Sequence, residues 1–209
     1  MAITKTYIGT DNNKWQSFLS ETGIFSSVGL EDSVFTCKDS NNNTVLTINH
    51  SATNTWSFAV SLATGDTYTK TYAIQGGSAG ENYGVKCSNG ALLYMNGSSG
   101  YISVLLTKNN KNEPVVVLPS STSARNPIAC LCRSDTYPVS TFTLSSVSAN
   151  QTVLSKFITS AAEGDVSYTP NAYYMPFGQY IGVGLAKFTM NSKRYVTDGY
   201  WVLLDGDAD

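Results

Sequence analysis

The sequence predicts an all-β protein: an antiparallel β-sandwich, built of meander hairpins or jelly-roll-like, with one or two short helices. Three observations predict it. Apolar residues recur with period two over much of the chain. Asn- and Gly-rich turn signals separate the alternating runs. Charged residues fill only 13% of the 209 positions, against about 25% in an ordinary soluble domain. Ser, Thr, Asn and Gly take their place.

The first element breaks the period. "DNNKWQSFLSETG" (11–23) sets Trp15, Phe18 and Leu19 on one helical face. Asp11 or Asn12 caps its start, and Gly23 closes its end. "SVFTCK" (33–38) and "NTVLTINH" (43–50) then flank "DSNNN" as a hairpin with an Asn-rich loop. "TWSFAVSLA" (55–63) alternates Trp56, Phe58, Val60 and Leu62 against Ser57, Ala59 and Ser61, a strand with one apolar face. "YGVKCSNGALLYMNGSSG" (83–100) reads strand, turn, strand, turn, with an Asn-Gly turn inside "SNG". "YISVLLTK" (101–108) and "EPVVVLP" (113–119) form another hairpin around "NNKN".

"LPSSTSARNP" (118–127) is Pro- and Ser-rich, and is the expected linker. It divides the chain into an N-terminal β-sandwich lobe, 1–118, and a C-terminal β lobe, 128–209; the two form one continuous domain or two. "QGGSAGEN" (75–82) is expected as a loop. "NQTVLSKFITSAAEG" (150–164) places Val153, Leu154, Phe157, Ile158 and Ala161 on a helical stripe. Its Val, Ile and Thr also suit a strand.

The closing run, "AKFTMNSKRYVTDGYWVLLDGD" (186–207), is a three-strand meander turning at "NSKR" and "TDG". In its last strand Tyr200, Val202 and Leu204 point one way, and Trp201 and Leu203 the other. Both faces are apolar. The strand is therefore central in a sandwich or seals a subunit interface. Phe188, Met190, Tyr195, Tyr200, Trp201, Val202, Leu203 and Leu204 are the expected interface or core anchors.

Composition narrows the partners. Net charge is −2 and pI about 5.3, so there is no basic stripe for nucleic acid and no charge attraction to an anionic membrane. No apolar run approaches the roughly 20 residues of a membrane helix. "MAITKTYIGTDNN" lacks a basic segment followed by an apolar one, so synthesis in a cytoplasm is expected. There Cys37, Cys87, Cys130 and Cys132 are expected as free buried thiols. The Asn-X-Ser/Thr sites at Asn42, Asn49, Asn96 and Asn150 then report only a polar surface.

Chemistry-bearing patterns are weak. His50 is the only histidine, so a Ser–His–acid arrangement would have to pass through it. It ends a strand, without a nucleophile elbow. Cys130-x-Cys132 lacks the second ligand pair of a zinc site. "DGDAD" (205–209) lacks the twelve-residue loop of a calcium site. No phosphate-binding glycine loop occurs. "GQYIGVG" (178–184) reads as a glycine-spaced bend. The expectation is a protein without catalytic residues, cofactor or metal. Glutamates at 21, 31, 81, 113 and 163 leave a glycan-cleaving pair as the enzymatic alternative. Tyr and Trp leave a binding alternative, a sugar-stacking groove of Trp56, Tyr83, Tyr94, Tyr173 and Tyr174.

"SYTPNAYYMPFGQY" (167–180) followed by "GLAKFTMNSKRYVTDGYWVLLD" (184–205) resembles the closing segment of structural proteins from the virion gene clusters of tailed bacteriophages and prophages of gut bacteria. "CKDSNNNTVLTI" (37–48) and "YGVKCSNGALLYM" (83–95) extend the likeness more loosely. The resemblance implies a non-enzymatic virion component, assembled in the host bacterial cytoplasm. Its partners would be other virion proteins, copies of itself in a homo-oligomer and, in the binding alternative, a host-surface glycan. A head-decorating or fibre-like accessory role is the narrower expectation; a carbohydrate- or receptor-binding module of a tail or baseplate is the alternative. The resemblance carries no catalytic residue.

Overall fold

The computed structural model describes residues 6–52, 55–74, 82–97, 100–119, 127–133, 155–159, 167–174, 186–198 and 201–207. Within them three antiparallel sheets stack as layers with one helix, giving the all-β sandwich-like fold that the alternation predicts.

The first sheet is a meander of β2 (Ser27–Glu31), β3 (Val34–Lys38), β4 (Thr44–Ala52), β5 (Thr55–Ser61) and β6 (Thr67–Ala73), adjacent in sequence order. Asp32 and Ser33, at φ 46° and 68°, make the tight turn between β2 and β3. Its inner face buries Phe35, Cys37, Leu46, Ile48, Trp56, Phe58 and Val60. Its outer face is polar: register aligns Thr36, Thr47, Ala59 and Thr69 in one row. In the next row Ser57 Oγ and Thr71 Oγ1 lie 2.8 Å apart.

The helix α1 (Asn12–Glu21) drops Trp15, Phe18 and Leu19 into the same core. Asp11 is its cap: Oδ1 accepts from the backbone amides of Asn13 at 2.9 Å and Lys14 at 3.3 Å. Gly23, at φ 67°, follows its last turn.

The central sheet runs β1 (Thr6–Tyr7), β7 (Tyr83–Cys87), β8 (Gly90–Gly97), β9 (Gly100–Lys108), β10 (Pro114–Pro119) and β11 (Pro127–Cys132). It is apolar on both faces. Leu93, Met95, Ile102, Val104, Leu106, Val116 and Leu118 meet the first sheet. Tyr83, Val85, Leu92, Tyr94, Leu105, Val115 and Val117 meet the third. Two-sided burial explains the unbroken apolar runs "ALLYM" and "VVVL" in β8 and β10. The expected boundary at 118–127 falls between strands that pair, Val117 opposite Cys130.

The third sheet has the order β12 (Ser155–Thr159), β13 (Ser167–Tyr174), β16 (Trp201–Asp207), β15 (Lys193–Thr197), β14 (Ala186–Met190). The C-terminal meander is present as expected, turning at Asn191 and Ser192 (φ 51° and 58°). The helical reading of 150–164 is corrected where it is described: 155–159 is strand paired with β13. Cross-strand pairing with β13 outweighs a helical stripe that carried β-branched residues. Trp201 and Leu203 face the central sheet. Val202 and Tyr195 occupy the opposite, outer face with Tyr173, Phe188, Met190 and Leu204.

A buried polar latch ties the third sheet to the central one. Asp198 is 3% exposed. It accepts from Ser103 Oγ and, at 3.0 Å, from the Trp201 backbone amide. The Trp201 indole Nε1 donates to the Ser103 carbonyl at 2.9 Å. Sharing these partners satisfies a carboxylate that burial alone would penalise.

Candidate functional site

Three hairpin loops share one backbone plan. In 39–43 the Asp39 amide donates to the Asn43 carbonyl at 3.0 Å, the Asn42 amide donates to the Asp39 carbonyl at 3.1 Å, and Asn42 has φ 62°. In 109–113 the matching bonds are both 3.0 Å and Asn112 has φ 64°. In 62–66 they are 2.9 and 3.1 Å, with Gly65 at φ 91°. Each is a type I turn closed by a left-handed residue, a position Asn and Gly take at little cost. Two carry the same side-chain brace. Asp39 Oδ1 accepts from the amides of Asn41 and Asn43 at 2.9 and 2.8 Å. Asn109 Oδ1 accepts from Lys111 and Glu113, both at 2.9 Å. These are Asx-type turns.

The three loops converge on one cleft of about 430 Å³, and Ile24, Ser26, Lys108, Pro114 and Arg133 complete its lining. Arg133 reaches across it. Its Nη1 donates to the Leu62 carbonyl at 3.5 Å and its Nη2 to Asn43 Oδ1 at 3.3 Å. The two carboxylates of the cleft are engaged within their own loops. Asp39 Oδ2 accepts from Asn43 Nδ2 at 3.1 Å, and Glu113 Oε2 from Asn109 Nδ2 at 2.7 Å. Burial pushes the Asp39 carboxyl up, but the bonds from Asn43 and Asn41 and the Arg133 charge outweigh it and hold it below its ordinary value. The arrangement offers amides, hydroxyls and cations to a small polar ligand. Its size falls in the range of small-molecule sites.

The aromatic groove expected from sequence is corrected for three of its five rings. Trp56 is 0% exposed and lies against Trp15 (centroids 4.5 Å apart) and His50 (3.9 Å, stacked). Tyr83 and Tyr94 stack at 5.0 Å between the central and third sheets. Inward-facing strand positions put all three rings in core. Tyr173 is half-buried on the outer face of the third sheet. The Tyr174 side chain and all of Tyr200 lie outside the described residues, as does 178–184.

Of the expected anchors, Trp201 and Leu203 pack inward, while Tyr195 and Val202 are buried on the outer side of the third sheet. Phe188, Met190 and Leu204 are half-buried beside them. Phe188 stacks on Tyr195 at 5.2 Å, and Tyr173 meets Tyr195 edge-on at 6.1 Å.

His50 is half-buried. Its Nδ1 lies 3.1 Å from Asn12 Oδ1, and burial lowers its pKa. Cys37 and Cys87 are free. Among the described residues no group of three or more His, Cys, Asp or Glu is placed to hold a metal ion. The C-terminal acids meet lysines: Lys187 pairs with Asp205 at 3.3 Å and Lys193 with Asp207 at 3.5 Å. Sequence reading passed over Arg133 and the convergence of the loops. Each Asn-rich hairpin was visible, but their common end is a property of the stacked sheets.

No family model, curated protein or solved structure matches the chain.

Proposed function

We propose that the protein is a non-enzymatic structural component of a bacteriophage particle, a head-decorating or fibre-like accessory part that works through protein–protein contact. The observation that carries this reading is the asymmetry of the stack's two outer faces. The first sheet turns Thr and Ser outward. The third sheet gathers Tyr173, Phe188, Met190, Tyr195, Val202 and Leu204 on its other face, four of them half-buried around the buried Tyr195 and Val202, on strands that include the edge strand β14. Half-buried apolar side chains grouped in this way are the part of the molecule best suited to a protein contact. The partner assigned to it is a second copy of the chain. The face is apolar, and Lys193 and Asp207 at its margin neutralise each other. It can therefore meet its own like without opposing equal charges. The resemblance of 167–205 to virion proteins supplies the particle context.

Mass spectrometry of purified phage particles, from a host carrying the coding sequence, tests the reading. The chain is expected as a stoichiometric component; its absence overturns the proposal. Phe188→Glu is expected to lower the oligomeric state in light scattering and to block incorporation while the far-ultraviolet spectrum is kept. An unchanged oligomer and normal incorporation would remove the third sheet from the interface.

A second reading, a carbohydrate- or receptor-binding module, is favoured by the loop-lined cleft with Arg133 across it. The two readings use opposite features of the molecule, an apolar sheet face and a polar loop cluster, and are compatible.

A further inference from the structure

The charges in the cleft are not equivalent, because some are spent and some are not. Asp39 has both carboxylate oxygens committed to Asn41 and Asn43. Glu113 uses one oxygen on Asn109. Two of the cleft's three cations, Arg133 and Lys108, are less committed. Arg133 carries five N–H donors and, among the described residues, makes the two long bonds to Leu62 and Asn43. Lys108 is half-buried at the end of β9, and its ammonium makes no hydrogen bond or ion pair among the described residues. Arg133 and Lys108 line the same cleft with Lys111, so three cations face the two carboxylates Asp39 and Glu113, and the Arg133 charge is already felt by Asp39. An anionic oxygen pair is the group that satisfies both Arg133 and Lys108.

The rest of the lining defines what carries that anion. Ser26, Ser40, Asn41 and Asn112 bring hydroxyls and amides to the lining, and Ile24 and Pro114 add apolar atoms. That mixture suits a pyranose, which shows hydroxyls at its rim and C–H groups on its face. A volume of about 430 Å³ accommodates one or two rings. The loops are braced before any ligand arrives: the left-handed residues Asn42, Gly65 and Asn112 and the two Asx braces fix the walls. Binding would order little new backbone.

We infer that the cleft between loops 39–43, 62–66 and 109–113 binds an acidic sugar, whose carboxylate pairs with Arg133 and Lys108 while its hydroxyls bond the Asn and Ser side chains. This deepens the second reading above and rests on it.

Isothermal titration of the full chain with glucuronate, N-acetylneuraminate, glucose, N-acetylglucosamine and inorganic phosphate tests the inference, with amide chemical shifts to locate each ligand. An acidic sugar is expected to bind about tenfold or more tighter than a neutral one, an advantage that falls as salt rises. Shifts are expected at Asn41, Asn43 and Asn112. Arg133→Gln and Lys108→Gln are each expected to weaken the acidic sugar by about tenfold. Because Arg133 also braces Asn43, Lys108→Gln is the variant that leaves the loops intact, and an unchanged melting curve verifies it. Equal binding of neutral and acidic sugars overturns the acidic specificity and leaves the carbohydrate reading standing. Phosphate matching glucuronate overturns the sugar, leaving a simple anion site. Silence of every sugar overturns both readings of the cleft.

Discussion

Trp201 is the side chain on which attachment of the third sheet turns. It is 1% exposed, packs with Leu92, Leu105 and Val117 in the core between the central and third sheets, and donates its indole N–H to the Ser103 carbonyl at 2.9 Å. Trp201→Ala removes the ring and the bond together. Large-to-small changes of this kind in a core cost about 3–5 kcal/mol, a large part of a net stability of about 5–15 kcal/mol. For a chain of this length a loss of about 4 kcal/mol lowers the melting midpoint by about 8–16 °C. Trp201→Phe keeps most of the apolar body and leaves the backbone bond to Asp198 in place. It should cost about 1–2 kcal/mol, from the lost donor and the smaller ring. Guanidinium unfolding followed by far-ultraviolet circular dichroism measures both without relying on tryptophan emission. A Trp201→Ala loss under about 1 kcal/mol, or a Phe variant as damaged as the Ala variant, would refute this role for the Trp201 ring and its indole bond.

Gly84 faces Phe18 so closely that a Cβ would overlap the far edge of its ring. Phe18 is itself 1% exposed and has nowhere to go; Gly84→Ala should cost about 1–3 kcal/mol, and Phe18→Leu in the same chain should return part of it in the same unfolding assay. Asp39 is held below its ordinary pKa in the folded state, so its contribution is full above the unfolded value of about 3.9 and is lost as pH falls through the folded one. Melting curves should therefore show Asp39→Asn less stable than the parent near neutral pH, with the gap closing below about pH 4; a gap that widens on acidification reverses the sign and refutes the assignment. Burial pushes the Cys37 thiol up to about 12 and the Cys87 thiol up to about 11. Iodoacetamide at about pH 8 should label neither in the native protein and both after unfolding, read by peptide mass spectrometry; rapid native labelling of Cys37 would place it outside the core.

The sequence by itself determined the local pieces. Asp11, the Trp15–Phe18–Leu19 stripe and Gly23 defined α1, because caps and a 3.6-residue period act within one element. "DSNNN" and "NNKN" defined their turns, since a left-handed Asn and an Asx brace are properties of five consecutive residues. The alternation in "YWVLLD" showed that β16 is apolar on both sides. The polar strands β2 and β6 escaped notice, as their outward Ser, Thr and Gly carry little signal. The strand at 155–159 was ambiguous because β-branched residues there also fit a helical stripe. Only the tertiary structure decided which layer each apolar face meets. It alone sent Trp56 beneath His50, slid Tyr83 and Tyr94 between two sheets, and brought Ser103 to Asp198 across 95 residues of chain. It alone gathered three separate loops around Arg133. The physical reason is that turns and caps are settled by neighbouring dihedrals and hydrogen bonds. A sheet face is satisfied by any apolar partner of matching shape, and which partner it receives depends on the packing of the whole chain.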